Sequence, residues 1–110
     1  MLVEKMLEGG GNKMNCVTLI GRVASDLKYN KRLNISKVKI EVTRNYPNIK
    51  EFYEVDCFDV KFYRELDESE MYYCDKGVLI AIRGRLLKQK NKITIIGEQI
   101  NFLAEKEMMY

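Results

Sequence analysis

The sequence predicts a mainly β domain, a five-stranded barrel carrying one helix between its third and fourth strands. Two apolar runs, residues 14–23 and 78–87, are each broken by one glycine, Gly21 and Gly84, and each glycine is followed by arginine. A glycine inside a strand marks a bulge or bend of the kind barrel strands need. Between the runs, Val38, Ile40 and Val42 alternate with Lys37, Lys39, Glu41 and Thr43, the period of a half-buried strand. Residues 61–74 place Phe62, Leu66 and Tyr73 among acids and read as a helix of about three turns.

Taken in order, the first strand holds Val17 and Leu19, and residues 26–33 form a polar, basic loop or hairpin. The second strand is centred on Ile40, and Pro47-Asn48 is a turn signal. The third strand covers residues 51–60, with Tyr53, Val55 and Cys57 on one face and Phe52, Glu54, Asp56 and Phe58 on the other. Gly77 suits a left-handed stop after the helix. The fourth strand covers 78–87, a short turn follows with Asn91 near its tip, and the fifth covers 93–102.

Length and composition bound the function. The 110 residues, 46% apolar, make one domain with a modest core. A net charge of +3 permits a polyanionic partner without demanding one. No run approaches the roughly 20 apolar residues of a membrane span, and no signal-peptide core is visible, so a cytoplasmic protein with no membrane partner is expected. The three cysteines, Cys16, Cys57 and Cys74, are widely spaced; each is expected as a small core residue rather than part of a disulfide framework. With no histidine, no Cys-x-x-Cys and no phosphate-binding Gly-rich loop, no catalytic residue, metal or cofactor is expected. Asp67, Glu68 and Glu70 read as a solvated helix face.

The runs Met-Asn-Cys-Val-Thr-Leu-Ile-Gly-Arg-Val (14–23) and Lys-Gly-Val-Leu-Ile-Ala-Ile-Arg-Gly-Arg-Leu (76–86) resemble the opening and fourth strands of bacterial single-stranded DNA-binding proteins. The element order is that of the oligonucleotide-binding (OB) barrel. The resemblance spans residues 14–103 and implies binding of single-stranded DNA without sequence preference, in replication, recombination or repair. A primosome-type accessory barrel acting through protein contacts, or an interaction module without nucleic-acid affinity, are the rival readings.

Phe52 and Phe58 flank Glu54 and Asp56 on a face too polar for core; such rings either stack on bases or cover a barrel edge or subunit contact. The resemblance implies stacking at both, and at Tyr46. It also implies phosphate contacts at Arg22, Arg83 and Arg85, with Arg44 a further candidate. Lys88, Lys90 and Lys92 crowd one hairpin, where they track phosphates or simply solubilise the turn. Lys28-Tyr29 resembles a basic-aromatic pair in the family's first loop. The chain departs from the family in its short loops, in lacking tryptophan and in placing two acids beside the stacking rings.

The resemblance further implies a homo-oligomer, a tetramer or failing that a dimer, with Asn15, Val17 and Leu19 at the contact between first strands. Residues 1–13, with Gly9-Gly10-Gly11, read as a flexible leader or as sequence ahead of a natural start at Met14. Residues 104–110 form a short end without the family's acidic tail, so recruitment of other proteins through such a tail is not expected.

Overall fold

The computed structural model describes residues 14–105, and the expectations for residues 1–13 and for the C-terminal end from 106 to 110 fall outside them. Six strands and one helix follow in the order β1 (Val17–Val23), β2 (Lys28–Asn30), β3 (Ile35–Thr43), β4 (Val55–Phe62), α1 (Glu68–Tyr73), β5 (Leu79–Gln89) and β6 (Lys92–Ala104). The sheet runs β1-β5-β6-β4-β3, and β1 returns to pair with β3 through Arg22↔Glu41 and Val23↔Ile40, which closes the ring. β2 is an addition to the expected five, a short strand hung on β3 within the basic hairpin. The helix lies between the third and fourth of the long strands, as expected for an OB barrel.

Inward-facing Val38, Ile40, Val60, Phe62, Ile80 and Ile82 form the centre of the core. Two glycines permit its closure. A Cβ on Gly21 would overlap the carbonyl oxygen of Glu41, so only glycine lets β1 approach β3 where the ring shuts. A Cβ on Gly97 would occupy the space of the Phe62 ring, which is completely buried. Gly97 stands opposite Gly84 beside a register shift in β5–β6, whereas Gly21 keeps the β1–β5 register unbroken.

Several expectations need correction. The helix has six residues, not three turns, because Phe62 continues the inward alternation of β4 and belongs to the strand. α1 starts only where Asp67 can cap it: its side chain accepts from the Glu70 N–H, while the Glu70 carboxylate accepts from the Asp67 N–H. These acids are thus structural, not merely solvated. Arg64 grips Glu70 through two bonds of 2.6 Å, and the Arg64 carbonyl accepts from buried Ser36. The third long strand begins at Val55, and its faces are reversed: Val55 and Cys57 are exposed, whereas Phe58 is half-buried and packs on the core beside Val60. The cross-strand register sets this, since Phe58 pairs with fully buried Ile40. Of the cysteines only Cys74 is buried, which raises its thiol to about 11; Cys16 and Cys57 are exposed. Gly77 does adopt a left-handed φ of 89°, within the turn after the helix.

Two predictions follow from these contacts. Gly97→Ala is expected to cost about 1–3 kcal/mol in urea denaturation, because the methyl displaces the Phe62 ring; an unchanged midpoint would show that the ring can move aside. The Arg64 guanidinium holds the Glu70 carboxyl below its ordinary value. A depressed folded value gives stability that is present above the unfolded value and lost as pH falls through the folded one. Stability of the native protein should therefore drop more steeply than that of Glu70→Gln between about pH 5 and about pH 3. Parallel acid titrations of the two would contradict the pairing.

Candidate nucleic-acid interface

Beyond Thr43 the β3–β4 ribbon continues into a loop, residues 44–54, whose shape is set by hydrogen bonds. The Arg44 N–H donates to the Glu54 carbonyl at 2.9 Å, and the Asn48 N–H to that of Phe52 at 2.7 Å. The Asn48 side-chain oxygen accepts from the N–H groups of Lys50 and Phe52, and its amide donates to Glu54. Asn48 follows proline at the turn expected from Pro47-Asn48, where its side chain substitutes for backbone partners. The Arg44 guanidinium meets Asp56 through two bonds of 2.9 and 3.0 Å and Glu54 through a third of 2.7 Å. It holds the Asp56 carboxyl below its ordinary range. The loop thereby presents Tyr46 at 65%, Phe52 at 69% and Ile49 at 98% exposure, with Tyr53 also exposed.

At the other end of the same ribbon lies a row of lysines. Lys28 stands opposite Lys37 across β2–β3, and Lys37 opposite Lys61 across β3–β4. All three point outward, since their neighbours Ser36, Val60 and Phe62 are buried. Like charges directly opposite destabilise a sheet, so stability gives no reason for this row. The lysines border a groove of about 490 Å³ that also takes in Lys39, Lys92 and exposed Ile93. Asp59 enters the groove as well, but Lys39 binds it at 3.1 Å. Tyr29 stands beside the row and donates its hydroxyl hydrogen to the Asn34 side chain.

The residues singled out from sequence are distributed unevenly over this geometry. Tyr46 and Phe52 lie exposed on the loop, Phe52 outside the strand to which it was assigned; Phe58 does not share its face. Arg22 is half-buried and donates to the carbonyls of Gly77 and Glu105, joining the start of β5 to the end of β6. Arg44 serves the carboxylates of Glu54 in the loop and Asp56 on β4. Arg85 lies 3.5 Å from Glu98, and Arg83 is exposed beside Thr18 on the β1–β5 surface. Lys88 and Lys90 are exposed at the β5–β6 hairpin, while Lys92 alone of that trio reaches the groove. Val17 and Leu19 turn inward against the core, and the Asn15 amide brackets Leu86 through bonds of 2.7 and 2.9 Å. Ile20, on the other face of the same strand, is exposed. Sequence reading passed over Ile49, Tyr53, Lys37 and Lys61. The Lys37–Lys61 opposition is a matter of register, which the sequence does not print.

A closed five-strand ring with a helix after its third long strand defines an OB-fold protein, here bearing an exposed aromatic loop and a basic groove. The model of the Single-strand binding protein family matches residues 14–93, and the chain belongs to that family. Over 75 residues it is 31% identical to single-stranded DNA-binding protein B of Bacillus subtilis, a match spanning 66% of each chain. Among solved structures it is similar to a small single-stranded DNA-binding protein of Mycoplasma pneumoniae, with a TM-score of 0.62, 22% identity and coverage of 89% of this chain and 97% of that one. It is also similar to the dimeric N-terminal domain of the PriB protein of Thermoanaerobacter tencongensis, with a TM-score of 0.56, 22% identity and coverage of 83% and 98%.

The lysine row yields a prediction of its own. Lys61→Ala is expected to raise the low-salt urea midpoint slightly, since a like-charge cross-strand pair costs about 0.2–1 kcal/mol. The gain should vanish at high salt. A lower midpoint at both salt concentrations would show that the packing of the Lys61 stem outweighs the repulsion.

Proposed function

We propose that this protein binds single-stranded DNA without sequence preference, as a strand-protecting or strand-organising factor in replication, recombination or repair. One observation carries the proposal: a hydrogen-bonded loop of exposed rings and a lysine-lined groove lie at opposite ends of one two-stranded ribbon. From Thr43 to Lys37 the ribbon spans about 20 Å at the rise of a β-strand. A single strand laid along it meets rings that stack on any base, then ammonium groups that follow its phosphates. The reading needs no reacting group and no cofactor. Membership of the Single-strand binding protein family supports it.

We infer further that copies associate through β1. Residues 17–21 of that strand pair only with β5 among the described residues, leaving one edge open, and Ile20 stands 54% exposed there. An open edge beside an apolar side chain is a template for pairing with a second copy. Joining two or more barrels also raises affinity for one strand through effective concentration. A dimer built on this edge, able to pair again into a tetramer, is the assembly expected of a bacterial cytoplasmic member.

Phe52→Ala should cost about 1–3 kcal/mol of oligo-dT affinity, measured by fluorescence titration, and leave the fold intact. Tyr46→Ala should act in the same direction and more weakly. Phe58→Ala should mainly destabilise the core. Unchanged affinity in a folded Phe52→Ala protein would remove the stacking assignment. Light scattering at micromolar concentration is expected to give at least twice the monomer mass, whereas a monomer would refute assembly through β1.

A further inference from the structure

Arg44 follows Thr43 at the point where β3 leaves the sheet, and its position beside the exposed rings suits a phosphate ligand. Its geometry says otherwise. All the guanidinium bonds described go to carboxylates of the same loop and strand: two to Asp56 and one to Glu54, all within 3.0 Å. The same Glu54 accepts from Asn48, the residue that fixes the N–H of Phe52. One side chain thus neutralises two acids next to the rings and ties them to the loop that carries Phe52.

We infer that Arg44 is a charge-masking residue: it keeps Glu54 and Asp56 from repelling the incoming strand, without itself binding a phosphate. This rests on the reading of the protein as a single-stranded DNA binder. A planar fork pairing bidentately with a carboxylate is among the stronger arrangements open to exposed ions. The electrostatic balance of the face follows from it. Asp59 on the same ribbon is met by Lys39 at 3.1 Å, so Glu54, Asp56 and Asp59 each have a cation beside them, whereas Glu41 and Glu51 are exposed. Lys28, Lys37 and Lys61 are then left to meet the polyanion.

The test is oligo-dT titration over a salt series with three variants. Arg44→Ala should weaken low-salt binding on the order of tenfold, because two close carboxylates are unmasked. The slope of log K against log salt should be unchanged, since no phosphate contact is lost. Removing the acids as well, in Arg44→Ala/Glu54→Gln/Asp56→Asn, should recover most of the loss. In Glu54→Gln/Asp56→Asn alone the guanidinium is released, and both affinity and slope should rise, the slope by about 0.7 for one added phosphate contact on a single strand. This last variant keeps Arg44 and serves even if Arg44→Ala folds poorly. A slope that falls by about that amount in Arg44→Ala, with no recovery in the triple variant, would make Arg44 a direct phosphate ligand and overturn the inference. Unaltered affinity and slope in Glu54→Gln/Asp56→Asn would overturn it as well. If the native protein itself bound no oligo-dT at low salt, the functional reading would fail and take this inference with it.

Discussion

The seating of Phe62 on Gly97 is the contact on which the remaining architecture depends. The ring is wholly buried, and glycine is the one residue that leaves room for it. It brings β4 against β6 where the two are joined by only the parallel pairs Val60↔Ile95 and Lys61↔Ile96. A parallel junction this short has little backbone bonding of its own, so side-chain packing must hold it. Gly21 does the corresponding work at the other seam, letting β1 reach the Glu41 carbonyl. Closed at both seams, the barrel fixes the outward register of β3 and β4, and the register in turn sets which lysines face one another.

The lysine-bearing face is therefore a consequence of closure rather than a patch laid on it. Ser36, Val38 and Ile40 point inward, which obliges Lys37 and Lys39 to point outward; on β4, Val60 and Phe62 do the same for Asp59 and Lys61. At the far end the chain leaves the barrel, and Arg44, Asn48, Glu54 and Asp56 replace strand pairing with a network of side-chain bonds. Loops that carry rings for stacking gain from such fixing, because an already ordered ring loses less freedom when a base docks on it.

Much of this was legible in the sequence. Alternation located β3, the glycine-broken runs located β1 and β5, and Pro47-Asn48 located the loop. The faces of β4 differ from the expectation because the acids Glu54 and Asp56 do not mark an exposed side. Arg44 neutralises both, so these acids mark the loop's anchor rather than the solvent face of a strand. The helix was overextended because Phe62 fits helical and strand periods equally well over so short a stretch, and only pairing with Ser36 decides between them. Arg22, prominent in the motif, turned out to secure chain carbonyls; a motif arginine reveals its charge but not its partner. The lysine row was hidden because its members come from three strands whose register sets them opposite one another.

The central claim is that one strand of DNA runs along the β3–β4 ribbon from the aromatic loop to the lysine groove. Amide chemical-shift mapping during titration with a short oligo-dT tests it most directly. The account predicts a continuous band of perturbed residues from Tyr46, Phe52 and Tyr53 through Lys39 to Lys37, Lys61 and Lys92, with α1 and the surroundings of Arg22 unmoved. Perturbations centred on α1 or on Arg22, with the ribbon silent, would contradict it.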